Sequence, residues 1–336
     1  MQQVLRPWPL LQAFAVVSAL VVLALLLFVP DTGLFVTWYV LIPLVPAILL
    51  AAPGLWRNLC PIATLSQLPS VIGHQPARRF PLRTRWGSTI GAGILFLAIV
   101  PLRPAIFNLD GLALVIFVLS VIVVAVVGGL AFSGKGGWCS SLCPVLPVER
   151  LYGQRPIVEV EHAHCSSCDA CVTGCYDLRP SGSMRGLTAP GRRESQRSWE
   201  MLRTPLGVFA AAFPGFVLGY FLLPGDASIL DAYLNVIVFS AAALLVVAAA
   251  DQYVLRNRAL TLRVAAATAA GLYYWFTIPS IANAADKLVH LGAAPDWAVA
   301  ATRVLFLAIV AVWFLLSLRQ VPHEEEDELE ISPVLD

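Results

Sequence analysis

The stretch GLALVIFVLSVIVVAVVGGLAF, residues 111–132, decides the fold class, because it carries no charged side chain and is long enough to cross a bilayer core. Similar runs recur in a chain that is 58% hydrophobic and 13% charged, with a mean hydropathy of +0.78. Soluble domains carry about a quarter charged residues. We therefore predict an all-α integral membrane protein. Its predicted transmembrane helices, about eight in number, lie at 10–29, 34–52, 87–102, 111–132, 205–223, 232–250, 264–282 and 297–317.

The Lys and Arg residues favour one orientation of these spans. All but three of the 22 fall in loops on the side of the amino terminus. Arg103 and Lys287 fall on the other side, and Arg303 lies within the last span. Because loops rich in Lys and Arg stay in the cytoplasm, we predict that both termini are cytoplasmic. Topology explains the basic loops, so they indicate no nucleic-acid partner.

The spans divide the chain into four parts. Residues 1–132 form a first four-helix membrane half, and residues 133–203 form a cytoplasmic segment with six of the seven cysteines. Residues 204–320 form a second four-helix half. The acidic tail, 321–336, is predicted to be disordered and solvated.

Cys165, Cys168, Cys171 and Cys175 form a Cys-x2-Cys-x2-Cys-x3-Cys run in the cytoplasmic segment. This is the ligand spacing of bacterial ferredoxins, and a reducing compartment argues for cluster ligation over disulfides. We therefore predict that the run binds a [4Fe–4S] cluster in a small, irregular, ferredoxin-like loop. Tyr176 stands where the ferredoxin run continues with proline, which leaves the partner of Cys175 open.

A second cysteine group lies closer to the predicted spans. Cys139 and Cys143 belong to a Cys-x3-Cys-Pro motif, and on a helix this spacing would place both thiols on one face. Leu142-Cys143-Pro144-Val145 after the fourth span repeats Leu59-Cys60-Pro61-Ile62 after the second, which favours an internal duplication. In the first copy Trp56 takes the place of the earlier cysteine.

These motifs together resemble a known family. Membrane spans flanking Cys-x3-Cys-Pro elements, followed by a ferredoxin run, are similar to the NapH, NosR and CcoG family of polytopic membrane ferredoxins, over about residues 1–180. The resemblance implies a multi-pass protein of the bacterial inner (cytoplasmic) membrane. It also implies that electrons pass between quinol or cytoplasmic donors and a partner redox enzyme. Some members handle copper or assist cofactor maturation. This chain departs from the pattern in its incomplete first motif, its single ferredoxin run and its long second half.

The number of clusters stays open, because two four-cysteine cubanes need about eight thiolates and the chain supplies seven. One cluster on the ferredoxin run would leave Cys60, Cys139 and Cys143 near a second, incomplete site. In the other arrangement one of these three completes a cluster on Cys165, Cys168 and Cys171. The remaining two hold a second centre with Cys175, which is completed by a non-cysteine ligand or left as a three-iron cluster. His162 and His164 are candidate non-cysteine ligands for it.

The predicted function is electron transfer from a cytoplasmic donor, a ferredoxin or flavoprotein, to a membrane redox partner or quinone. No catalytic acid–base residue is predicted, and the protein acts as an electron-transfer subunit of an oxidoreductase system. Tyr273 to Phe276 form a candidate quinone wall, although aromatic clusters also pack or line interfaces. Two alternatives remain: a copper-handling or cupric reductase-like protein, since thiolates suit Cu(I), and a redox-sensing or scaffold subunit.

Overall fold

The computed structural model describes residues 8–74, 85–132, 137–153, 157–158, 202, 204–225, 227–289 and 295–318. Within these ranges the protein is 85% helix and contains no strand, which confirms the all-α prediction. The ferredoxin run, His162, His164 and the acidic tail lie outside the described residues.

The helices follow the predicted spans closely. In chain order they are α1 (Trp8–Phe28), α2 (Pro30–Ala51, with a π-helical stretch at Val36–Leu41), α3 (Pro53–Leu59), α4 (Pro61–Ser66), α5 (Leu68–Val71), α6 (Arg85–Ile99), α7 (Gly111–Ala131), α8 (Leu146–Tyr152), α9 (Pro205–Phe221), α10 (Ile229–Leu255), α11 (Arg258–Val289) and α12 (Asp296–Leu318).

Five of these helices, α1, α2, α7, α10 and α12, are long and apolar enough to cross a membrane. The other three predicted spans fall on helices of a different kind. α6 and α9 are apolar but shorter, and α11 has 32 residues that include polar and aromatic side chains and Pro279. In the described residues, five of the eight predicted spans are therefore membrane-spanning by length and composition.

Capping side chains define the first turn of α7 and of α10. The Asp110 carboxylate accepts hydrogen bonds from the backbone N–H groups of Leu112 and Ala113, at 2.8 and 3.2 Å, and so caps α7. Ser228 and Asp231 form a reciprocal capping box at the start of α10. Such caps satisfy backbone donors that the first helical turn leaves unbonded, and they define where each helix begins.

The second half of the chain holds most of the packed core. Phe96 of α6 inserts its ring among Phe209, Phe213 and Phe216 of α9, at centroid distances of 4.8–5.9 Å. α9 lies so close to α10 that a Cβ on Gly215 would come within 2.0 Å of the Phe239 carbonyl oxygen. Close approach through small residues is typical of helices packed in membranes. In α1, by contrast, only Leu26 is buried.

α11 continues through Pro279, the position that interrupts the seventh predicted span. Proline has no N–H, so it cannot donate to the Trp275 carbonyl four residues earlier. Arg303 of α12 supplies a donor instead: its Nε lies 2.9 Å from that oxygen, and its guanidinium stacks 4.4 Å from the Trp275 ring centroid. The charge within the last predicted span therefore stabilises helix packing.

Candidate functional site

Three of the predicted ligands, Cys60, Cys139 and Cys143, line one pocket. The first comes from the junction of α3 and α4, and the other two come from the segment before α8, about eighty residues later. Each of the three is half-buried. The structure thus brings together the two Cys-Pro elements that the sequence suggested to be repeats. Cys165, Cys168, Cys171 and Cys175 lie outside the described residues.

Cys60 is placed at the pocket by a break between two short helices. α3 ends at Leu59, and Cys60 has φ −57° and ψ 117°, outside helical geometry. Pro61 then occupies the first position of α4, where the backbone N–H that proline lacks would have no partner within the helix. The Cys60 carbonyl accepts a hydrogen bond from the Thr64 N–H at 3.0 Å, so the new helix starts at the cysteine itself.

Cys139 and Cys143 lie in a compact turn. The Trp138 carbonyl accepts hydrogen bonds from the backbone N–H groups of Ser141, Leu142 and Cys143, at 3.0–3.1 Å. The helical arrangement considered for this motif is therefore wrong, although both cysteines still reach the same pocket. The chain cannot extend this turn as a regular helix, because Pro144 lacks a donor.

Gly137 positions the turn against α7. A Cβ on Gly137 would lie 2.1 Å from the Gly128 carbonyl oxygen, so only glycine allows this backbone-to-backbone approach. On the neighbouring side of α7, a Cβ on Gly129 would lie 1.8 Å from the Ser66 carbonyl oxygen of α4. The paired glycines of α7 thus hold both cysteine-bearing segments close to one helix.

α8 follows the cysteine turn, and all seven of its residues are buried. Three of its side chains reach different helices. Glu149 accepts a hydrogen bond from Arg57 Nε of α3, and Arg150 Nη1 donates to the Thr89 hydroxyl of α6. The Tyr152 hydroxyl donates to the Ala266 carbonyl of α11 at 2.9 Å. α8 therefore connects the cysteine pocket to both halves of the molecule.

Charged groups form one wall of the pocket. Arg57, Glu149 and Arg150 line it and are each at least nine-tenths buried. Two guanidinium groups and one carboxylate leave a positive balance beside the three thiols.

Burial raises the pKa of the Cys143 thiol above its usual value, and the neighbouring Cys60 and Glu149 add to this. Hydrogen bonds from the backbone N–H groups of Val145 and Leu146 act in the opposite direction. In the absence of a metal ion Cys143 is therefore a neutral thiol. Metal ligation would release its proton.

The pocket is small. Its cavity volume is about 30 Å³, which is room for about two water molecules. In the part of the chain that the structure describes, no three His, Cys, Asp or Glu side chains lie close enough to hold a metal ion. The three-thiol donor set suits a soft metal or an iron–sulfur cluster. A single ion fits this volume more readily than a cubane, which needs the pocket to widen.

Sequence reasoning missed the charged wall. The sequence pattern predicts Arg57 only as one of the arginines that set the topology, and it predicts no role for Glu149. The sequence feature that could have indicated these residues is their position near the cysteine motifs. Arg57 directly follows Trp56 in the first motif, and Glu149 lies six residues after Cys143 in the second. Trp56 also lines the pocket, at the position that corresponds to Cys139 in the repeat.

Of the predicted aromatic wall, Tyr274 packs into the core, whereas Trp275 is exposed. Tyr274 is 2% exposed, its hydroxyl donates to the Pro43 carbonyl at 3.0 Å, and its ring stacks on Phe306 at 4.4 Å. It also borders a largely apolar cavity of about 370 Å³ that includes Tyr39 and Ile278. This volume lies in the range of small-molecule sites.

Comparisons of the chain with protein-family models, with curated proteins and with solved structures find no match.

Proposed function

We propose that this chain is a membrane-bound iron–sulfur protein that relays electrons from a cytoplasmic donor to a membrane redox partner. The observation that carries the proposal is the convergence of Cys60, Cys139 and Cys143 on one pocket. Packing alone gives no reason for three thiols from two distant segments to meet beside buried charged groups. The ferredoxin run in the same segment of the sequence adds four more thiols.

In this proposal Cys165, Cys168, Cys171 and Cys175 bind a [4Fe–4S] cluster, and the three pocket cysteines complete it or hold a second centre. When bound, such a cluster supplies one-electron transfer. Cys60, at the junction of α3 and α4, and Cys143, in the turn before α8, both line this pocket. Arg57 and Arg150 place positive charge where thiolates would otherwise accumulate negative charge in a buried site.

α8 gives the proposed centre a connection to the membrane-embedded part. Tyr152 is 1% exposed, and its ring packs against Trp313 of α12 at 5.4 Å. The Trp313 indole N–H donates to the Tyr152 carbonyl at 3.3 Å, and the Tyr152 hydroxyl binds α11. These contacts join α8, which lies beside the pocket, to α11 and α12. We propose that electrons pass along this connection towards the cavity beside Tyr274, and that this cavity is the quinone site.

The remaining features of the proposal come from the sequence. The protein would have eight spans in the bacterial inner membrane, with both termini and the cluster loop in the cytoplasm. α6, α9 and α11 would provide the three spans that are shorter or less apolar. A ferredoxin or flavoprotein would deliver electrons at the basic cytoplasmic loops.

The test is anaerobic purification of the full chain, followed by iron and sulfide analysis and EPR spectroscopy after reduction. We expect about four or eight irons per chain and a reducible cluster signal. Cys165→Ala should abolish the signal, and Ser166→Ala, in the same run, should keep it. If eight irons are present, Cys60→Ala should reduce the content by about half. A protein without iron or sulfide contradicts the proposal.

One observation favours a second candidate, a Cu(I)-handling protein. The pocket volume of about 30 Å³ accommodates a single ion more readily than a cubane, and three thiolates suit Cu(I). Stoichiometric copper without iron, lost in Cys143→Ala but retained in Cys168→Ala, would establish this function. Copper bound equally by both variants would exclude the pocket as the copper site.

A further inference from the structure

A second, more polar cavity lies at the opposite end of α6 and α9 from the cysteine pocket. Thr89, near the start of α6, contacts Arg150 beside the cysteines, whereas Arg103 and Asn108, beyond the end of α6, line this cavity. Tyr220 from the last turn of α9 and Thr277 of α11 complete its polar wall. The cavity volume is about 410 Å³, which is sufficient for a small molecule or a lipid head group.

Arg103 is held in place at this cavity by uncharged groups. Its guanidinium lies 4.4 Å from the centroid of the Trp38 ring, and its Nε donates to the Asn108 amide oxygen at 3.0 Å. Trp38 is itself fixed, since its indole N–H donates to the Phe107 carbonyl at 2.8 Å. The Tyr220 hydroxyl also interacts with Arg103.

No carboxylate balances this arginine among the described residues, where the one ion pair joins Arg57 and Glu149. A guanidinium presents five donors in a planar fork that matches oxyanions, and the contacts with Asn108 and Tyr220 engage only some of them. The remaining donors of Arg103 are therefore suited to an anionic group in the cavity.

Thr277 provides independent support for a ligand. It is 6% exposed, and its hydroxyl oxygen makes no hydrogen bond within the described ranges. The neighbouring Tyr273 hydroxyl interacts with the Thr277 hydroxyl as a hydrogen-bonding side chain, but the contact falls short of a well-formed hydrogen bond. Two other helical hydroxyls behave differently: Ser280 and Thr302 both donate to the carbonyl four residues earlier, at 3.0 and 2.8 Å. A buried hydroxyl without a well-formed hydrogen bond is unfavourable, and an oxygen of a ligand in this cavity would satisfy Thr277.

We propose that this cavity binds a phosphate group, with Arg103, Tyr220 and Thr277 as its donors. A tetrahedral phosphate offers oxygens in several directions, which suits donors that come from three different elements of the fold. The cavity is larger than the group itself, so the phosphate can belong to a lipid head group as well as to a free anion. A neutral quinone carbonyl would leave the Arg103 charge unbalanced. The inference is independent of the proposed electron transfer.

The test uses the purified full chain in detergent and the change in melting temperature on addition of three probes. These are a diacyl phosphatidylglycerol, inorganic phosphate, and a diacylglycerol, which lacks the phosphate. We expect a concentration-dependent rise with at least one phosphate probe and none with diacylglycerol. A response to phosphatidylglycerol alone identifies a lipid head group, and a response to inorganic phosphate identifies a free anion.

Two variants and one control locate the site. Arg103→Gln should weaken binding about ten- to a hundredfold, because a charge-assisted contact is lost, and Thr277→Val should weaken it about two- to tenfold. Thr277→Val should fold normally without ligand, since its hydroxyl makes no bond that the variant loses. Arg303→Gln is the matched control: Arg303 stacks on Trp275 at the same 4.4 Å but does not line the cavity.

The proposal is overturned if neither phosphate probe raises the melting temperature of the wild-type protein. It is also overturned if Arg103→Gln responds like the wild type, or if Arg303→Gln loses the response to the same extent.

Discussion

Glu149→Gln should destabilise the protein strongly, because it leaves the buried Arg57 guanidinium without its carboxylate partner. The exposed fraction is 8% for the Arg57 side chain and 11% for the Glu149 side chain, so water cannot replace the lost charge. Breaking a buried pair on one side costs about 3–5 kcal/mol. Because glutamine keeps an oxygen that can accept the Arg57 hydrogen bond, we expect a loss of about 3 kcal/mol, at the lower end of that range.

A loss of this size is a large part of the stability of a folded protein, which is about 5–15 kcal/mol. By the per-residue scaling of globular proteins, it corresponds to a decrease of about 4 °C in melting temperature for a chain of this length. Thermal unfolding of the full chain in detergent, followed by tryptophan fluorescence, measures the decrease. The metal content of the same preparations provides a second measurement. Because α8 directly follows the cysteine turn, displacement of α8 in the variant should lower the metal occupancy of the pocket.

A double-mutant cycle separates the pair from other effects. Arg57→Met and Glu149→Gln should each destabilise the protein, and the double variant should lose about 1–3 kcal/mol less than the sum of the two. If Glu149→Gln melts within about 1 °C of the wild type, or if the two losses simply add, then the ion pair does not secure α8.

Three further predictions concern contacts around the site and in the membrane half. Tyr152→Phe should cost about 1 kcal/mol by removing the hydrogen bond from α8 to α11, whereas Tyr253→Phe, at a position that is 75% exposed, should leave the melting temperature unchanged. Gly137→Ala should cost several kcal/mol or prevent folding, because its Cβ would overlap the backbone of α7; stability close to wild type would contradict this packing. Arg303→Gln should be less destabilising in a Pro279→Ala background, where the helix supplies its own donor to the carbonyl that Arg303 binds, and equal effects in both backgrounds would refute the explanation.

The helices could be predicted from the sequence because their signals are local. A run such as 111–132 contains its own evidence, since every backbone polar group of an apolar segment must bond within the segment. Hydropathy also predicts spans at α6, α9 and α11, which do not reach the length and apolar composition of the other five. α6 and α9 are shorter, whereas α11 is longer but includes more polar side chains.

The candidate site was predicted in part. Cys-Pro marks both places where the chain breaks a helix beside a thiol, because proline limits the conformation of the preceding residue. The turn around Trp138 was not predicted. Its carbonyl accepts hydrogen bonds from three backbone N–H groups, and this geometry depends on the tertiary contact between Gly137 and Gly128 of α7. The Arg57–Glu149 pair was also missed, because the sequence does not reveal which buried charges lie next to each other.

The sequence by itself therefore determined the helical, membrane-type fold, the ferredoxin run and the identity of the thiols that can act. Only the tertiary structure decided that Cys60 meets Cys139 and Cys143, that buried arginines stand beside them, and that α8 ties this pocket to α11 and α12. The physical reason is the range of the interactions. Helix formation and helix breaks depend on residues within a few positions. The pocket depends on the packing of segments about eighty residues apart, which local patterns do not encode.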